Sequence, residues 1–195
     1  MMSYDMTVWE IIRASGLVAY GLLTISVAVG IAIRLRALDW FMQRAWVLES
    51  HATVSVLALA FTGVHMLALL LNRHVPFTLA GIFIPFASSW DPLAVAVGII
   101  ATYLAALLVV TSYVRPYIGY KTWRAVHYGG FAAWAMALGH SIAAGSDTGD
   151  VWVRYFYLAS AVIVILLTLG RVFQASAPRP ERVRSAVGRE PVGAE

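Results

Sequence analysis

Five stretches of this 195-residue chain are each about 20 or more residues long and almost wholly apolar, the length that crosses a bilayer as a helix. No other feature leaves less freedom of fold. In hydrocarbon every backbone N–H and C=O must be bonded within its own segment, so each stretch is expected to be one transmembrane helix of an all-α bundle. The stretches run from about Trp9 to Ile33, Trp46 to Leu71, Pro92 to Val114, Trp123 to Ala144, and Trp152 to Val172. Charged residues make up only 12% of the chain, about half the share in a soluble domain. The N-terminus has no basic region and the first run is too long for a signal core, so it is read as a retained span. Residues 75–90 are apolar but broken by Pro76 and Pro85, and read as an interfacial or re-entrant segment. Residues 1–173 then form one membrane domain, and 174–195, rich in Pro, Arg, Gly and Glu, read as a disordered cytoplasmic tail.

Basic residues set the expected orientation. Arg34, Arg36, Arg44, Arg115, Lys121, Arg124, Arg171 and the four tail arginines fall on one side of the five spans. Arg13, Arg73 and Arg154 fall on the other, with Asp5, Glu10, Asp91, Asp147 and Asp150. This predicts a multi-pass protein of the inner (plasma) membrane with its N-terminus out and its C-terminus in. The net charge of +4 is explained by topology and implies no nucleic-acid partner; the surrounding partner is membrane lipid. Six of the seven tryptophans, Trp9, Trp40, Trp46, Trp90, Trp123 and Trp152, fall near span ends, where indoles anchor. Trp134 is mid-span, a position for packing or cofactor contact.

Four histidines lie inside these apolar helices, where ionisable side chains are costly and rarely idle. His51 and His65 share the second span, 14 residues or about 21 Å apart along its axis. His127 and His140 share the fourth, 13 residues or about 20 Å apart. Both spans run from inside to outside, so His51 can face His127 at an inner level and His65 can face His140 at an outer one. Two imidazoles from two helices at each level suit axial ligation of a haem iron. Zinc would want a closed tetrahedral set at one level, and a transporter would be expected to carry mid-span carboxylates; a lone histidine can also simply bond a neighbouring helix. There is no cysteine, which excludes iron–sulfur clusters and thiolate metal sites. One difficulty is angular. At 100° per residue a 14-residue step falls about 40° short of four turns, but a 13-residue step about 140° short, so His127 and His140 do not share a face of a straight helix. Gly63, Gly129, Gly130 and Gly139, near the histidines in sequence, are candidates for close approach. His74, after Asn72-Arg73, reads as an interfacial histidine.

These pairs, with Arg115-Pro116-Tyr117, Trp123-Arg124-Ala125-Val126-His127 and Leu138-Gly139-His140, resemble the ferric reductase-like transmembrane family. Its members include the membrane domains of ferric reductases and NADPH oxidases and the haem-binding subunit of a bacterial periplasmic methionine sulfoxide reductase. Arg13-Ala14-Ser15-Gly16-Leu17 is similar to the first helix of many bacterial members, and the stretch from His140 to Thr148 to their outer loop. The resemblance covers roughly residues 9–173. It implies two haem b groups, His51 and His127 on an inner iron and His65 and His140 on an outer one. Haem propionates are anionic and would seek cations: Arg44, Lys121 and Arg124 at the inner level, Arg13, Arg73 and Arg154 at the outer. Full-length ferric reductases and NADPH oxidases have six spans and a large flavin and nicotinamide domain. Here there are five expected spans and no G-x-G-x-x-G unit, so the donor is expected to be quinol or a separate flavoprotein. The acceptor is then a ferric chelate or a periplasmic protein. Three readings follow: an oxidoreductase component that transfers electrons outward, the electron-donating membrane subunit of a separate periplasmic reductase, or a haem-free transporter or scaffold.

Overall fold

The computed structural model describes residues 2–73, 75 and 77–176, with side chains from Met6 onward. His74 and the residues after Ser176 lie outside the described residues. The described residues are helical and contain no strand. The helices are α1 (Met2–Leu35), α2 (Arg44–Leu70), α3 (Leu79–Phe83), α4 (Pro92–Tyr113), α5 (Arg115–Ile118), α6 (Tyr120–His127), α7 (Gly129–Ala144) and α8 (Val151–Ser176), with a 3-10 turn at Ser146–Gly149. Residues 174–176, placed in the tail by composition, instead close α8.

Among the described residues four helices, α1, α2, α4 and α8, are long and apolar enough to cross a membrane. The expected fourth span differs. It is divided into α6 and α7 at Tyr128, and α7, at 16 residues, reaches about 24 Å, short of a hydrocarbon core of about 30 Å. The reason is local. α6 is the polar octapeptide YKTWRAVH with no buried residue, and the two glycines that follow it favour a change of direction over an unbroken helix. The segment 75–90 contains one short helix, α3, capped by the Thr78 hydroxyl, which accepts from the Gly81 N–H at 3.0 Å.

α1 is the central element. It lies along α2 and also touches α7 and α8, while α4 lies along α7. The bundle is thus built from two closely packed pairs, α1 with α2 and α4 with α7. Where α1, α7 and α8 meet, Tyr20, Ile31, Trp134, Tyr157 and Val164 form a buried cluster. Its polar edges are satisfied: the Trp134 indole donates to Thr24 at 3.0 Å, and the hydroxyls of Tyr20 and Ser160 bond each other at 2.5 Å. Trp134 therefore serves packing; it does not line the central cavity described next.

Candidate metal centres

A cavity of about 770 Å³ runs between the two helix pairs. On α1 its lining runs from Trp9 to Arg34, a step of 25 residues or about 38 Å of helix, longer than the about 30 Å of a hydrocarbon core. All four span histidines line it, and they meet in two pairs. His51 faces His127 with ring centres 6.1 Å apart and planes at 73°. His65 faces His140 at 6.4 Å and 81°. Among the described residues no group of three or more His, Cys, Asp or Glu gathers at one point. Each centre is a two-imidazole site.

The spacing is informative. A metal held between two imidazoles separates the ring centres by about 6 Å, from two metal–nitrogen bonds of about 2 Å and about 1 Å from each nitrogen to its ring centre. Both pairs stand at that separation. The angular difficulty disappears as well, because His127 ends α6 and His140 belongs to α7, so no single helical phase relates them.

Three of the histidines are held by one repeated device. Nδ1 of His51 lies 3.0 Å from the carbonyl oxygen of Ser26, Nδ1 of His65 is 2.9 Å from that of Ile12, and Nδ1 of His140 is 2.8 Å from that of Ala94. A carbonyl only accepts, so in each case Nδ1 carries the proton and donates it, and Nε2 keeps its lone pair for a metal. Four residues after each of these carbonyls stands a glycine: Gly30, Gly16 and Gly98. A Cβ on Gly30 would come within 3.2 Å of the His51 ring, one on Gly16 within 3.0 Å of His65, and one on Gly98 within 2.7 Å of His140. The imidazole thus sits in the notch a missing side chain leaves and bonds the second lone pair of a helix carbonyl. Asp91 steadies the third notch by capping α4 from a left-handed conformation, its carboxylate accepting from the Ala94 N–H at 3.1 Å.

The sequence neighbourhood of the histidines points to other glycines. Gly63 and Gly139 face open space, and Gly129 and Gly130 merely touch Leu108. The glycines that matter are on the partner helices. One signal was available: Gly16 and Gly30 are 14 residues apart, the same step as His51 to His65.

His127 is held differently. Its Nδ1 is buried without a hydrogen-bond partner. The Trp123 indole stacks on its ring at 4.7 Å and 28°, and the Arg115 guanidinium lies 5.2 Å from the centre of the Trp123 ring system. Trp123, read from its span-end position as a lipid anchor, is part of the site.

The candidate cations divide. Arg13 lines the cavity beside His65 and forms a two-pronged ion pair with Asp147, at 2.5 and 2.7 Å. Arg73 and Arg154 are exposed and outside the cavity, and Arg154 instead reaches the Gly149 carbonyl at 3.4 Å. At the other end Arg44 and Arg124 line the cavity, and Lys121 does not. Arg34, Arg115 and Arg171 join them there, residues that positive-inside patterning had absorbed. Tyrosine hydroxyls organise this end: Tyr120 accepts from Arg34 at 3.1 Å, and Tyr128 accepts from Arg124 at 3.2 Å and Arg171 at 3.1 Å. The Arg34 hydrogen bond holds the Tyr120 phenol below its ordinary pKa.

The family model described as ferric reductase like transmembrane component matches residues 15–138. The chain belongs to the ferric reductase-like transmembrane family. The match includes three of the ligand candidates of this ferric reductase-like chain, His51, His65 and His127, and all three notch glycines; His140 lies just beyond it. Searches of curated proteins and of solved structures gave no match.

Proposed function

We propose that this ferric reductase-like protein carries electrons across the membrane through two b-type haems, one between His51 and His127 and one between His65 and His140. The observation that carries the reading is the pair of facing imidazoles, 6.1 and 6.4 Å apart, at two depths of one membrane-length cavity. Bound haem would supply a reversible one-electron iron couple at each depth. The chain's own contribution is to fix the ligands. Carbonyl bonds from Ser26, Ile12 and Ala94 set the ring orientation of three histidines, and the glycine notches hold them. The walls between the two levels are largely apolar, and the guanidiniums of Arg13 at one end and Arg44 and Arg124 at the other would pair with propionates.

In this reading α6 and α7 together complete a fifth crossing, with the N-terminus outside and α8 ending in the cytoplasm, in the inner membrane. Electrons enter at the His51/His127 end from quinol or a separate flavoprotein and leave at the His65/His140 end to a ferric chelate or a periplasmic protein. Purified protein from haem-replete cells is expected to show a b-type Soret band and two haems per chain by pyridine haemochrome assay. A colourless preparation would overturn the reading.

Topology has its own check, made simple by the absence of native cysteine. Ser146→Cys is expected to react with an impermeant maleimide added to the outside of spheroplasts. Tyr117→Cys, at a position 89% exposed, should react only after lysis. The opposite pattern reverses the orientation.

A further inference from the structure

The notch device repeats along two helices, and its fourth copy is altered. On α1 the carbonyl and glycine pairs are Ile12 with Gly16 and Ser26 with Gly30, 14 residues apart. On α4 the first pair is Ala94 with Gly98. Fourteen residues further stand Leu108 and Ser112, on nearly the same helix face. The neighbourhood matches: Leu108 lies against Gly129 and Gly130, beside His127. Here a serine occupies the glycine's place. Its hydroxyl donates to the Leu108 carbonyl at 2.8 Å and accepts from the Trp123 indole at 3.1 Å. Ser112 thus fills the notch, bonds its carbonyl together with the Thr111 hydroxyl, and anchors the indole that stacks on His127.

We propose that this substitution makes the His51/His127 centre the higher-potential of the two. The inference rests on the two-haem reading above. Donation of Nδ1–H to a carbonyl pushes electron density onto the imidazole and makes it a stronger ligand for the oxidised, more positive iron. Both ligands at the His65/His140 centre have that bond. At the other centre only His51 has it; the Nδ1 of His127 is unpartnered and its ring is backed by an indole carrying a guanidinium. Each difference favours the reduced iron at the His51/His127 centre. An electron on a singly reduced protein therefore rests at that end, and onward transfer to the His65/His140 centre depends on an acceptor drawing electrons from it.

The test is a dithionite titration with redox mediators of the purified holoprotein, followed optically, with the two components assigned through His65→Ala and His127→Ala. The component lost in His127→Ala is expected to be the one with the higher midpoint in the parent protein. Ser112→Gly opens the fourth notch and removes the shorter of the two hydroxyl bonds to the Leu108 carbonyl, the other coming from Thr111 at 3.2 Å, so it should shift that midpoint downward and leave the other unchanged. Arg115→Gln, an exposed change, should shift the same midpoint down. If the His51/His127 component has the lower midpoint, or if Ser112→Gly and Arg115→Gln both leave it unmoved, the proposal fails while the two-haem reading stands. Protein without haem overturns both.

Discussion

His65→Ala is expected to lower the haem content from two per chain to one. His140→Ala should remove the same spectral component, and His51→Ala and His127→Ala should remove the other. The grouping follows from the facing rings, not from chain order: His51 and His65 are on one helix, but each finds its partner on α6 or α7. Each level offers two imidazoles, and among the described residues no group of three or more His, Cys, Asp or Glu gathers at either, so removing one histidine would leave a single imidazole to hold the haem. The two levels are about 20 Å apart along the helices, so loss at one has no direct route to the other. The measurement is haem per chain together with the low-temperature α-band of each variant. If His65→Ala and His127→Ala remove the same component, the pairing is wrong.

Gly98→Val is expected to have an effect nearly as large through a residue that ligates nothing. A Cβ at position 98 would stand 2.7–2.9 Å from three atoms of the His140 ring, and a valine adds two methyl groups to that overlap. The ring cannot retreat without giving up its 2.8 Å bond to the Ala94 carbonyl. Overpacking of this kind costs about 1–3 kcal/mol in a packed interior, and here the strain falls on the ligand itself. The His65/His140 haem should be lost or sharply weakened, and the other retained. Gly139→Ala, beside His140 in sequence but facing open space, should keep both haems. Equal haem loss in the two variants would mean that glycine acts through helix flexibility and not through the notch.

The contrast between Gly98 and Gly139 shows how far a single chain can be read. Long apolar runs are a one-dimensional signal, since each must satisfy its backbone internally, so α2 and α4 stand close to their expected bounds, while α1 starts seven residues before Trp9 and α8 runs four past Val172. The break at Tyr128 was less visible. Hydropathy averages over a window, whereas the break arises from a polar octapeptide meeting two glycines. Arg73 and Arg154 show the same limit for charge: both are outside the cavity that their charge was expected to serve. Trp123 was legible as an aromatic at a span end; its stack on His127 depends on the angle at which α6 meets α7.

Composition and spacing alone determined that this chain is a helical membrane protein and that four histidines lie within its apolar stretches. Both are local properties, set by the cost of unpaired backbone groups and of imidazoles in hydrocarbon. Which imidazole faces which, which glycines make room for them, and which histidine lacks a carbonyl partner were decided only by the packing of α1 on α2 and of α4 on α7. A notch and the ring it holds belong to helices far apart in sequence, and only packing brings a carbonyl on one within 3 Å of a nitrogen on the other.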